Sequence, residues 1–542
     1  MKNKLVKKVL ATGAALCLSA LALTPATAWA QTQTPPGNID TGRTTSITVH
    51  KHTAGDGTQG KADGSGTAGS KPLAGVTFTA YKLTNIDLAS NYADWDKLGE
   101  IQKAYPKGLP ANACSAAELT TPTWVKNTGI GLDSTGKKLD PTAADGTAKL
   151  ADTGIAAYLF CETGRPANVT VPAIPFIVTA PYPGEGTNPS WIYDVHAYPK
   201  NEVGEVKKTN KTPEELGLGS KATFEVSTKV PNLPEGYTTF KHFVFSDTLD
   251  DRLKPGYPAT NSTTPAVNNV YIPAAGSEPR IDFAPTTDYT LTVDGQKVTV
   301  EFTKTGIAKL VARKGETIYL DFNATITSIG NGVVENKAHF SVDPNKDYDP
   351  DKPGNPSNEV IRKYGDLKLL KYGEATESNV LKGAKFQVFE AEDPYASDCK
   401  GATKKSGADA IKVNGVDTFT SDEKGLVKID GLFVSAKSVS IDAQGVRTEV
   451  GNENDQRCYV VEEIEPPVGY VKIANPIGVA VKKGVTDAAS YDLKVDNSKQ
   501  IVPGLPLTGA QGKLILQVGG VALVAGAICW VFVARRRNAI AA

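Results

Sequence analysis

Two kinds of side chain in this sequence can form new covalent bonds: lysine amines set at the ends of strand-like runs, and cysteines in an even number. The segment WIYDVHAYPKN, 191–201, is an alternating run that ends with Lys200 between Pro199 and Asn201. A neutral lysine amine is a nucleophile, and one placed there must be reachable from solvent to act on anything outside its own domain. Pro199 lacks a backbone donor and suits a strand edge or end. The same tripeptide recurs in AYPKG, 104–108, but Lys107 has no alternating apolar run before it and is followed by turn residues. Of six cysteines, Cys17 and Cys529 fall in apolar segments at the two ends, leaving Cys114, Cys161, Cys399 and Cys458. No CxxC spacing occurs, which argues against zinc. There is no HExxH, no nucleophile elbow and no cysteine–histidine pair in context, so a secreted enzyme is the weakest reading.

The ends of the chain say where these groups operate. Lys2, Lys4, Lys7 and Lys8 precede an apolar run from Val9 to Leu23 and the small-x-small pattern Ala28-Trp29-Ala30. That is a secretory signal over 1–30, removed on export. At the other end, Leu514 to Val533 is long enough to span a bilayer, and Arg535, Arg536 and Arg537 hold its far side in the cytoplasm. Directly before this span stands Leu505-Pro506-Leu507-Thr508-Gly509. Pentapeptide, apolar helix and basic tail, in that order over 501–542, resemble the cell-wall sorting signal of Gram-positive surface proteins. The resemblance implies that a sortase cleaves between Thr508 and Gly509 and passes the threonyl acyl group to an amine. It also implies transient membrane anchoring, then residence in the cell wall on peptidoglycan.

The mature chain, Gln31 to Thr508, suggests about three domains by size. Lysine plus arginine and aspartate plus glutamate both number 59, so the formal charge is zero and nucleic acid is not an expected partner. With 51 glycines and 34 prolines, short strands and turns are favoured over helices. A polar leader covers 31–45. SITVHKH (46–52), KPLAGVTFTAYKL (71–83) and GIAAYLFCETGRP (154–166) are strand candidates of a first unit, 31–201, with a partly helical insertion over 86–120. KATFEVSTKVP, FVFSDTLDDRL, DYTLTVDGQKVTVEFTK, ETIYLDFNATIT and GVVENKAHFSV alternate with period two in a second unit, 202–362. The acidic linker 343–360 is read as a solvated loop and no cofactor is expected, with calcium ligation by its carboxylates the alternative. The third unit, 363–500, repeats the element order of the first, and the middle unit is a variant. The expected fold is all-β, three tandem immunoglobulin-like sandwiches. Because Cys114 and Cys161 share one unit and Cys399 and Cys458 another, they are paired within units, each bridge contributing about 4 kcal/mol in the chain-entropy account.

YVVEEIEPPVGY (459–470) resembles the E-box of sortase-assembled pilins, and the third unit resembles their collagen-adhesin B-type immunoglobulin-like domain. In that family a first-strand lysine and a last-strand asparagine join as an isopeptide, promoted by the E-box glutamate. The resemblance implies these roles for Lys371, Asn497 and Glu463. The alternative is a plain ion pair between Lys371 and Glu463. For the middle unit it implies Lys208, Asn336 and Asp247, with Lys208 matching better than the adjacent Lys207 and the register left open. For the first unit it implies Lys51, Asn201 and Glu162, although CETGRP lacks the E-box ending and leaves the bond in question. The chemistry suits these residue types: burial favours a neutral amine and a protonated carboxyl, and proximity supplies the effective concentration.

AYPKN resembles the pilin motif of the same family, which assigns Lys200 as the amine that receives Thr508 of another subunit. The implied function is a major shaft pilin, similar to actinobacterial fimbrial subunits and supporting adhesion. Its implied partners are identical subunits, pilus-specific and housekeeping sortases, peptidoglycan, a minor tip pilin, and receptors on host or bacterial surfaces. The competing reading is a monomeric wall-anchored adhesin that binds a host glycan or protein.

Overall fold

A computed structural model of the chain describes residues 38–539 except 55–57, 59, 185–189, 234–236, 259–262, 353, 442–446, 451–452, 489 and 502–509. The export signal (1–30) and the pentapeptide 505–509 lie outside the described residues. Three β-sandwiches follow one another along the chain.

In the first, Ser46–His50 lies between Asp194–Ala197, parallel, and Thr147–Leu150, antiparallel. Thr77–Thr84, Ala156–Gly164 and Phe176–Ala180 form the facing sheet. Side chains in a strand alternate between faces, so Ile47 and Val49 meet Phe78, Phe160 and Val178 in the core. Ala156–Gly164 is buried on both faces. Its even positions, Tyr158 and Phe160, enter the sandwich core, while Ala157, Leu159 and Cys161 join a second core with Leu83, Ile101 and Trp124. That second core is the expected insertion. Within it Tyr92–Ala104 is helical, N-capped by the Asn91 side chain. Its Trp95, Leu98 and Ile101, at helical spacing, turn toward the sheet. The Cys114–Cys161 disulfide fixes the insertion to the strand it covers.

The second sandwich sets Val206–Lys211, Lys221–Lys229 and Thr317–Ile326 against His242–Thr248, Lys297–Phe302 and Ala338–Asp343. Aromatic rings fill the space between; Phe243 meets Phe340 edge-on at 4.8 Å. The third sandwich sets Val360–Gly373, with Leu426–Ser435 and parallel Leu493–Asn497, against Lys385–Glu390, Gln456–Glu465 and Ile477–Lys482. Cys399 is bonded to Cys458.

The units join through strands rather than through linkers. Lys200–Val203 pairs with His52–Thr53 and then, past residue 201, with Val169–Val171. Val360–Gly373 crosses 362/363 without a break: its first residues pair with Val333–Asn336 of the middle unit and the rest with the third. Arg362, 1% exposed, donates to the Asn210 side chain at 3.1 Å and to the Lys211 carbonyl at 2.8 Å. The inward phase changes at both joints: Val203 is exposed and the pairing shifts register between Glu202 and Val203, and it shifts again between Lys363 and Tyr364 and between Gly365 and Leu367. The leader expected over 31–45 is tied down where it is described: the Asp40 amide donates to the Tyr193 hydroxyl at 2.6 Å, and Trp191 Nε1 to Asn38 at 2.9 Å. In the acidic linker, Asp343 pairs with Arg165, Asp347 with Lys241 and Asp349 with Lys352, so these carboxylates are spread over separate cations. At the C-terminus, Ala510–Ala539 is one helix, of which Gln517–Arg536 has mean hydropathy 2.0 and is long and apolar enough to cross a membrane.

Candidate functional site

Alternation also determines which polar groups are carried into the three cores. Lysines 51, 208 and 371 each stand two residues after a buried aliphatic, Val49, Val206 and Leu369, and each is fully buried. Glu162, Asp247 and Glu463 likewise stand two after Phe160, Phe245 and Val461. Asn336 and Asn497 follow Val334 and Val495 in the same way. In the two outer sandwiches the parallel register completes the placement. Asn201 pairs with Thr53, two past Lys51, and Asn497 pairs with Gly373, two past Lys371. The lysine and asparagine are therefore diagonal neighbours on the core face, and the carboxylate comes from the opposite sheet.

In the third unit both Glu463 oxygens accept from Asn497 Nδ2, at 2.9 and 3.1 Å, and one also accepts the Ile473 amide at 2.9 Å. Lys371 Nζ donates to the Val495 and Tyr372 carbonyls at 3.0 Å. Burial pulls the Lys371 amine down to about 8, against the opposing charges of Glu463 and Asp496. An amine at about 8 is roughly one-tenth neutral at pH 7, against about one part in three thousand for an ordinary lysine.

In the middle unit Lys208 Nζ contacts Asp247 Oδ2, which Asn336 Nδ2 also approaches at 3.4 Å. Burial lowers Lys208 to about 8 and raises Asp247, each opposed by the other's charge. Both shifts favour the same pair of forms, a neutral amine beside a protonated carboxyl. The adjacent Lys207 is exposed on the outer face. Here no parallel strand carries the asparagine beside the lysine; instead the Asn358 side chain bonds the Lys208 amide and carbonyl, both at 2.9 Å. We expect Lys208→Ala to add the mass of one ammonia to the mature chain relative to its cross-linked value, after allowance for the substitution, and Lys207→Ala to add none. Intact-mass measurement separates the two.

The first unit, whose motif is least regular, brings its three groups together most closely. Lys51 Nζ donates to Asn201 Oδ1 and lies 3.2 Å from Glu162 Oε2, while Asn201 Nδ2 donates to Glu162 Oε1 at 3.0 Å. In the other two trios Asn336 Oδ1, Asn497 Oδ1 and Asp247 Oδ1 are buried without a hydrogen-bond partner. Such an oxygen is costly to bury. Half a turn of the amide sets Asn Oδ1 against the carboxyl, where the protonated acid donates to it. Each trio can then react in one way: Nζ attacks the amide Cγ, the Cγ–Nδ2 bond breaks, and Nδ2 departs as ammonia with a proton relayed by the carboxyl.

Lys200 faces the other way. Asn201 points into the core, so Lys200 lies on the outer face with Tyr198 and His196, beside His50 and His52 of the neighbouring strand. It is partly exposed, and its Nζ donates to the Thr58 carbonyl at 2.8 Å. Lys107 sits exposed in the turn after the helix Tyr92–Ala104. Sequence reasoning misses the cluster of imidazole and phenol rings next to Lys200, although counting back by twos from residue 200 finds it.

Three tandem sandwiches, each with a lysine, an acid and an asparagine in its core, and a lysine turned outward at the end of the first, define a surface-fibre subunit. Residues 42–202 match the family described as Gram-positive pilin subunit D1, N-terminal domain. The chain is 35% identical to fimbrial subunit type 2 of Actinomyces naeslundii over 99% of this chain and 97% of that one. It is 30% identical to fimbrial subunit type 1 of Actinomyces viscosus over 98% of each. The full-length major pilin SpaD of Corynebacterium diphtheriae aligns with a TM-score of 0.57 at 26% identity, covering 86% of this chain and 99% of that one. The chain belongs to the fimbrial subunits of sortase-assembled Gram-positive pili and is a structural shaft subunit.

Proposed function

We propose that a sortase joins Thr508 of one subunit to Lys200 of the next, and that repetition of this step builds the fibre. The observation that carries the reading is the division of lysines by face: Lys51, Lys208 and Lys371 are sealed in cores, while Lys200, beside inward Asn201, reaches the outer surface. The sealed lysines form internal isopeptides with Asn201, Asn336 and Asn497, under Glu162, Asp247 and Glu463. These bonds tie the first strand of each sandwich to a late one, so tension passes along covalent bonds and bypasses the ladder of backbone hydrogen bonds. Units 31–201, 202–362 and 363–500 act as the successive segments of the shaft, and the helix Ala510–Ala539 holds the precursor in the membrane until Thr508 is cleaved from Gly509. A housekeeping sortase then attaches the finished fibre, capped by a minor tip pilin, to peptidoglycan.

Fibres released from cells and digested with protease supply the test. Mass spectrometry should find a branched peptide in which the Thr508 carbonyl is bonded to Lys200 Nζ. Fibres that are covalently polymeric but carry the branch at another lysine would overturn the assignment.

A further inference from the structure

The first trio differs from the third at one nearby position. Three residues after Glu463 stands Pro466; three residues after Glu162 stands Arg165. Arg165 NH1 is 4.0 Å from Glu162 Oε1, and its NH2 contacts Asp343 Oδ2 of the second sandwich, 178 residues away. The three side chains are 16%, 2% and 5% exposed, so this is no solvated surface pair. Asp343 is held in place: its Oδ1 accepts the Asn345 and Lys346 amides at 2.7 and 2.9 Å. Asn345 in turn bonds the Tyr237 hydroxyl at 3.0 Å and reaches the Ala111 carbonyl of the first sandwich at 3.4 Å.

We propose that Arg165 is a positioning residue through which docking of the second sandwich controls closure of the Lys51–Asn201 cross-link. The inference rests on the reading of Lys51, Glu162 and Asn201 as a cross-linking trio. Glu162 must be protonated to donate to the Asn201 carbonyl while Nζ attacks Cγ; the amide Nδ2 then leaves as ammonia. An unpaired guanidinium beside Glu162 favours the carboxylate and stalls that step. When the second sandwich is docked, Asp343 draws the guanidinium out to 4.0 Å from Glu162 and balances its charge, and the direct neighbours of Glu162 are Lys51, Asn201 and the Ala173 amide. Among the described residues Tyr237 and His242 also interact with Arg165 and Asp343, and Glu301 acts on His242; burial raises Tyr237 to about 12 and lowers His242, so both are neutral at pH 7. The cross-link therefore closes in subunits whose first two sandwiches are already seated.

The test follows newly synthesised full-length chain in a pulse–chase, with the Lys51–Asn201 branched peptide quantified by mass spectrometry. The Lys208–Asn336 and Lys371–Asn497 branches in the same sample report folding of the other two units. Asp343→Asn should slow the first branch about tenfold or more, the effect of one full charge left beside a carboxyl, with the other two unchanged. The ratio of variant to wild-type rate should return toward one as pH is lowered. Arg165→Met should close the branch at least as fast as wild type, and adding Asp343→Asn to it should have no further effect. A first branch that forms at wild-type rate in Asp343→Asn, or is lost in Arg165→Met, would overturn the coupling. Absence of the first branch from wild-type chain would instead remove the trio reading beneath it.

Discussion

Cells expressing Lys200→Ala should show no high-mass fimbrial ladder, with the subunit recovered as monomer at normal level. Lys107→Ala, blotted alongside, should polymerise as wild type. The expected effect is all or none, because the proposed linkage uses one amine per subunit. Lys200 begins the strand Lys200–Val203, which pairs with His52–Thr53, so its Cα is held by the sheet and only its side chain must move to meet an acyl donor. Lys107 belongs to a turn. Both lysines end the same short run, AYPK, and they differ in the backbone that carries them. Lys200→Ala leaves Asn201 and the core face untouched, so loss of polymer with retention of the Lys51–Asn201 branch separates failed linkage from failed folding. A ladder that persists in Lys200→Ala and vanishes in Lys107→Ala would transfer the role to residue 107.

The second large effect concerns Glu463. Glu463→Ala should leave the mature chain one ammonia heavier than its cross-linked counterpart, after allowance for the substitution, and lower the melting temperature of the third unit by roughly 12–25 °C, for two physical reasons. A Lys371–Asn497 bond closes a loop of the hundred-residue class, for which the chain-entropy account gives about 4–5 kcal/mol. In a domain of this size each kcal/mol corresponds to about 3–5 °C. Truncation also strands Lys371 and Asn497, 0% and 2% exposed, without their shared acid, and an unmatched buried charge is destabilising in its own right. Differential scanning calorimetry together with intact mass decides the matter. A variant of wild-type mass defect and wild-type melting temperature would show that Glu463 promotes nothing.

The third unit is largely legible from its residues. YVVEEIEPPVGY announces an acid strand in which Val461 and Glu463 share a face, and Leu369 and Lys371 do the same in LKLLKYG. The choice between Lys207 and Lys208 stays open in the sequence because adjacent lysines in EVKKTNK fit a strand of either phase; Val206, buried in the core, sets the phase and sends Lys208 inward. The first unit is the hardest to judge. CETGRP breaks the E-box ending, yet Phe160 and Glu162 keep the alternation that the trio needs, and Arg165, just beyond the acid, serves the joint with the second unit. The expected boundaries at 201 and 362 divide the chain between units, whereas the chain passes both inside strands. Arg362 and Arg165 give no signal in the sequence, since each has its meaning in partners more than a hundred residues away.

From residue order alone come the sandwich class and the expectation of export and sorting signals and of side chains able to form amide bonds, because these depend on local pattern: an apolar run of given length, or period two with a lysine, acid or asparagine in phase. Tertiary structure decided which of those side chains meet, which lysine is sealed and which is presented, and how one sandwich is fastened to the next. Those outcomes depend on the register between strands far apart in sequence, and a shift of one residue there sends every side chain to the opposite face.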